Sequence, residues 1–213
     1  MKEFKVDKKT TVYAALLTFY TVAFLWINII ATKLVQITPN IGINASALLL
    51  IYPLLYIISD FVQEIYGYKA SRFNAISAIV FSLLMLGFLK LTALAPSMSD
   101  PANVGLLFEV ISGTVIVGFT GTYVGDWIND IMFEKMRKDS IPFWTRAVVS
   151  SIPGQLVDAG IFYGIMSSFY WHMPVEKLMF SIFVGTLIKL SWETVCVPIS
   201  SKLVTMAKKE FSK

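Results

Sequence analysis

Asp60 and Glu64 stand one helical turn apart at the end of a long uncharged run, in Ser59-Asp60-Phe61-Val62-Gln63-Glu64-Ile65-Tyr66-Gly67-Tyr68. At that spacing two carboxylates project from one helix face and repel each other, so a segment that only crosses lipid gains nothing from them. Three further sets of polar residues lie inside apolar stretches. Gln155 and Asp158 share a face at i,i−3, in Ser150-Ser151-Ile152-Pro153-Gly154-Gln155-Leu156-Val157-Asp158. Lys189 and Glu193 are spaced i,i+4 with Trp192 beside them, and Asn28 precedes Lys33 by about a turn and a half. A charge at membrane depth is costly and faces a cavity or a partner, so these groups point to a solute site. Lys189 and Glu193 also read as an internal ion pair, and Lys33 equally as a side chain that snorkels to the surface.

The elements that position these groups follow from composition. The chain has 213 residues, 56% of them hydrophobic and only 15% charged. Its mean hydropathy of +0.68 lies outside the range of soluble domains. The uncharged runs between Lys9 and Lys33 and between Lys33 and Asp60 each exceed the roughly 20 residues that an α-helix needs to cross about 30 Å of hydrocarbon. The pattern predicts an all-α integral membrane protein with six transmembrane helices, near 10–32, 44–66, 72–94, 104–128, 145–170 and 175–202, forming one domain over 1–213. Turn residues punctuate the gaps: Thr38-Pro39-Asn40 with Gly42, then Gly67, Pro96 to Pro101, Ile141-Pro142 and His172-Met173-Pro174. The first span is too long for a signal-peptide core and is expected to remain in the mature protein.

Basic residues set the expected orientation. Lys2, Lys5, Lys8, Lys9, Lys69, Arg72, Lys135, Arg137, Lys138, Arg146, Lys202, Lys208, Lys209 and Lys213 fall on one side, against Lys33, Lys90 and Lys177 on the other. Both termini are therefore expected in the cytoplasm, in a multi-pass protein of the cell membrane. The net charge of +4 then serves orientation, and no direct nucleic-acid partner is expected.

Cys196 and His172 are each the sole residue of their type and leave no basis for a disulfide, a metal cluster or a catalytic dyad. With no nucleophile beside a base and no phosphate-binding G-x-x-x-x-G-K-[ST] loop, neither enzyme chemistry nor ATP hydrolysis by this chain is expected, nor any cofactor. Gly121 with Gly125, and Gly160 with Gly164, read as close helix contacts. Pro153 and Gly154 are expected to loosen their helix and free backbone groups to line a cavity. Asp126 is expected near the hydrated inner boundary, and Asp130 and Glu134 with the basic loop.

Taken in order, Asn28 with Lys33, Ser59-Asp60 through Glu64-Ile65-Tyr66-Gly67-Tyr68, Arg146, Ser150-Ser151, Gly154-Gln155-Leu156-Val157-Asp158 with Phe162, then Lys189, Glu193 and Pro198 resemble the queuosine precursor transporter family. The resemblance implies a six-helix fold similar to the substrate-binding components of vitamin uptake systems. It also implies import of a 7-deazaguanine base, such as preQ0, preQ1 or queuine, for tRNA modification. Such a base offers adjacent N–H donors that a carboxylate accepts in pairs, and a flat face on which an aromatic ring stacks. On this reading Asp158 or Glu193 takes the base edge, Gln155 and Asn28 add hydrogen bonds and Trp192 stacks. Lys189 holds Glu193 ionised, and Asp60 with Glu64 forms the cytoplasmic end of the path. The partners expected are this base and the lipid bilayer; a homo-oligomer or an energising subunit stays open. The alternative is a substrate-binding subunit of a vitamin uptake system driven by a separate ATPase.

Overall fold

The computed structural model describes residues 7–31, 33–38 and 43–211. Lys2, Lys5, Pro39, Asn40, Gly42 and Lys213, used above for topology and turns, lie outside the described residues. Six α-helices follow one another: α1 (Lys8–Ile30), α2 (Tyr52–Tyr66), α3 (Tyr68–Leu94), α4 (Val104–Lys138), α5 (Phe143–Met166) and α6 (Val175–Phe211). Asp7 caps α1 by accepting from the Thr10 amide at 2.6 Å, and that bond holds its carboxyl below the usual range. Gly67 separates α2 from α3 at φ 91°, a backbone conformation that residues with a Cβ rarely adopt. The α4 C-terminus carries Lys135, Arg137 and Lys138 in its last turn, where cations complement the helix dipole.

The expected helix over 44–66 forms only in its second part. Its first residues pair instead as a strand, β2 (Ile43–Ser46), antiparallel to β1 (Leu34–Thr38) with Leu34 opposite Ser46, and a 3-10 turn over Ala47–Leu50 leads into α2. The chain is thus helical with one short hairpin. The hairpin satisfies its backbone by cross-strand pairing, and its inner edge is tied down: Ser46 Oγ donates to the Ala31 carbonyl at 2.7 Å and the Ser46 amide to Tyr163 Oη at 3.1 Å. With fifteen residues, α2 spans about 22 Å, short of the hydrocarbon thickness. Among the described residues five helices, α1, α3, α4, α5 (with the π-helical turn Ser167–Trp171 that continues it) and α6, are long and apolar enough to cross a membrane, one fewer than expected.

Large apolar side chains such as Phe19, Phe73, Leu83, Phe88, Ile116, Phe183 and Val195 face outward, as lipid-facing residues do, and polar residues fill the middle. Lys8 pairs with Glu210 at 2.7 Å, so the start of α1 and the end of α6 share one end of the bundle. The tightest crossing joins α4 and α5. A Cβ on Gly154 would lie 2.7 Å from the Gly125 carbonyl oxygen, and one on Gly121 2.9 Å from Asp158 Oδ1. Gly154 is therefore a packing residue in a helix that continues through Pro153, while a Cβ on Gly160 or Gly164 would meet nothing within 4 Å. Gly154→Ala is expected to cost about 1–3 kcal/mol by forcing α4 and α5 apart. Thermal unfolding of the purified variant measures it, with Gly160→Ala as the near-silent control.

Candidate functional site

Polar side chains run as a column through the bundle. At mid-depth Lys189 Nζ on α6 donates to Asp158 Oδ2 on α5 at 2.6 Å, both side chains almost fully buried. The ammonium also stands 3.9 Å above the Tyr52 ring, a cation–π contact strengthened by burial. Asp158 Oδ1 has a looser partner, the Thr122 hydroxyl at 3.5 Å, which in turn meets Tyr52 Oη at 2.7 Å. Asn28 lies alongside on α1, where its amide donates to Ser82 Oγ at 3.3 Å and to the Phe24 carbonyl at 3.0 Å. Asn28, Asp158, Lys189, Tyr52, Phe162 and Tyr163 line one narrow cavity of about 20 Å³. That is room for about one water molecule, whereas ligand pockets typically measure about 300–1,000 Å³. A solute enters here only when the helices part.

One turn along α6, Glu193 turns toward α5. Ser151 Oγ lies 2.5 Å from its Oε1, and Gln155 Nε2 donates to Oε2 at 2.6 Å. Lys189 therefore pairs across the helix interface with Asp158, and the expected pair with Glu193 does not form. The amine reaches a carboxylate on the facing helix, while Glu193 already has two donors from α5. Asn129 continues the column, accepting from Ser151 at 3.3 Å and donating to Asp60 Oδ1 at 3.4 Å.

Asp60 thus belongs to the buried column, and the structure separates it from Glu64. Glu64 accepts from Arg146 at 2.8 Å and from Lys208, tying the end of α2 to the start of α5 and the end of α6. Arg146 stacks its guanidinium over Phe133 at 4.7 Å. This cluster closes the bundle at the end that holds Lys8 and Glu210. Asp126 and Asp130 also depart from expectation. Both are buried, Asp126 accepting from Tyr20 Oη at 3.3 Å and Asp130 paired with Arg72 at 3.5 Å. Their partners lie on α1 and α3, too distant in sequence for helix periodicity to reveal.

Trp192 is outside the site. It follows Ser191 on the outward face of α6 with Leu187 and Val195, nearly half exposed, because consecutive residues on a helix point about 100° apart. The aromatic walls come instead from Tyr52, Phe162 and Tyr163. Spacing gave no sign of Tyr52, Thr122, Ser151 or Asn129 as partners of the named acids, although Ser151, Gln155 and Asp158 do recur at helical spacing on α5. Trp192→Ala is expected to leave solute uptake within about twofold of wild type, as a surface substitution. Initial uptake rates normalised to membrane expression check this.

A sequence model of the family described as "Putative vitamin uptake transporter" matches residues 46–202, most of the chain, taking in α2 to α5 and α6 as far as Lys202. No curated protein and no solved structure matches.

Proposed function

Since this chain belongs to the family described as Putative vitamin uptake transporter, we propose that it imports a 7-deazaguanine precursor of queuosine across the cell membrane for tRNA modification. The observation that carries the choice of solute is the buried Asp158–Lys189 pair lining a narrow cavity with aromatic walls. Asp158 Oδ1, whose Thr122 contact is long, is the acceptor for the N–H edge of the base. Lys189, paired with Asp158, faces the base's acceptors. Asn28 adds an amide, and Tyr52 or Phe162 provides the stacking face once assigned to Trp192. Gln155, Glu193 and Asp60 lie beside this cavity rather than in its lining and support it from below, and Glu64 belongs to the closing cluster at the bundle end.

The positive charge gathered at one end of the bundle by Lys8, Lys9, Lys69, Arg72, Arg137, Arg146 and Lys208 supports a cytoplasmic location for that end. A sixth crossing made by α2 and the segment before it is the reading that agrees with both termini lying on that side.

Uptake of radiolabelled 7-aminomethyl-7-deazaguanine by cells expressing the chain tests the solute class. Deazaguanines are expected to compete, and riboflavin, biotin, thiamine and adenine to leave uptake unchanged. Competition by a vitamin and none by deazaguanines would move the assignment to that vitamin.

A further inference from the structure

Asp158 and Lys189 account for the cavity and leave the acids beneath it without a role. Five carboxylates are buried among the helices: Asp60, Asp126, Asp130, Asp158 and Glu193. Lys189 neutralises Asp158 and Arg72 neutralises Asp130. Among the described residues no cation lies within ion-pair distance of Asp60, Asp126 or Glu193. An ionised carboxylate at this depth without a counter-charge costs several kcal/mol, so the closed bundle cannot hold all three as anions.

Hydrogen-bond accounting locates a missing proton. Ser151 Oγ lies within bonding distance of three acceptors: Glu193 Oε1 at 2.5 Å, the Ala147 carbonyl at 2.8 Å and Asn129 Oδ1 at 3.3 Å. A hydroxyl has one proton to give. The shortest of the three contacts is satisfied when the carboxyl of Glu193 carries the proton and donates it to Ser151 Oγ, leaving Ser151 to donate to Ala147 or Asn129. A second observation points the same way. Gln155 Oε1, on the fully buried amide whose nitrogen sits on Glu193, has no donor, and neither has Asp60 Oδ2.

We propose that Glu193 is a proton-binding site, protonated while the bundle is closed and linked through Ser151 and Asn129 to Asp60 as a second carboxyl. The groups that face it are Ser151 and Gln155 from α5, Asp60 and Tyr56 from α2, Asn129 from α4 through Ser151, and Lys189 one turn away on its own helix. Of these only Lys189 is cationic, and it is engaged with Asp158. A metal ion fits poorly, because both Glu193 oxygens already lie against Ser151 and Gln155 and no cluster of three ligating side chains exists among the described residues. Since closure requires the proton, raising the pH removes it, disfavours closure and slows turnover. The inference rests on the chain being a transporter that closes around a solute, not on which solute.

Infrared spectroscopy of the purified protein in lipid nanodiscs at pH 7 tests this without any solute. The wild type is expected to show the carbonyl band of a buried protonated carboxylic acid. The band loses area in Glu193→Gln and in Asp60→Asn, but not in Glu64→Gln. In proteoliposomes at equal pH on both sides, wild-type uptake of the aminomethyl base falls as pH rises above neutral, and Glu193→Gln loses that dependence. Absence of the band in wild type, or a band unchanged in Glu193→Gln, overturns the proposal. So does saturable thermal stabilisation by sodium over choline that Glu193→Gln abolishes, which would make this a metal-cation site. A band that behaves as expected in a protein that transports no deazaguanine supports the proton site and sinks the solute assignment alone.

Discussion

Lys189→Met is expected to abolish uptake and to destabilise the protein by about 3–5 kcal/mol, because it leaves the Asp158 carboxylate buried beside Thr122 with no counter-charge. Roughly 2–4 °C per kcal/mol for a chain of this size puts the fall in Tm near 10 °C. The diagnostic comparison is the double variant Asp158→Asn, Lys189→Met. Removing both charges is expected to return most of the lost stability, since a buried pair replaced by neutral groups of similar volume is often close to neutral. Uptake stays absent in the double variant, because the acceptor for the base edge has gone. Thermal unfolding and uptake measured on the same preparations separate the two effects. Recovery of uptake together with stability would reduce the pair to a packing element.

The second large effect is at the other end of the column. Arg146→Met is expected to cost about 3 kcal/mol, and Lys208→Met no more than about 1 kcal/mol, although both residues bind the same carboxylate. Arg146 and Glu64 are nearly buried, and the guanidinium also loses its contacts with Phe133 and Phe143. Lys208 is more than half exposed, so water screens its pair with Glu64. Thermal unfolding of the two single variants under identical lipid conditions checks the ratio, and equal losses would contradict the burial argument.

Much of this architecture is legible in the sequence because a bilayer enforces simple rules. Most of the long uncharged runs are helical, and Gly67, the only glycine among the described residues with positive φ, ends α2 where the turn signal placed it. The convergence of Gln155, Asp158, Lys189 and Glu193 was also readable, since polar groups at that depth have nowhere else to go. The pairing was not. Spacing along one helix favours Lys189 with Glu193, yet the facing helix offers Asp158 at better geometry, and periodicity carries no information about a neighbouring helix. The same gap hid Arg72 as the partner of Asp130 and Tyr20 as that of Asp126. Trp192 misled for a different reason: adjacency to Glu193 in sequence places it on another face of the helix. The start of α2 was missed because an apolar run of ordinary length does not distinguish a helix from a strand paired to a distant segment.

The family match establishes a transporter class and leaves the solute and its energy source to experiment. The purified chain, reconstituted alone in liposomes and given labelled 7-aminomethyl-7-deazaguanine, is the most direct test. Saturable accumulation in the lumen, blocked by unlabelled deazaguanine and lost in Asp158→Asn, is the result expected. No uptake by the chain alone, with uptake restored by an added ATPase module, would contradict autonomous transport and make it a binding subunit. Uptake undiminished in Asp158→Asn would remove the cavity from the path.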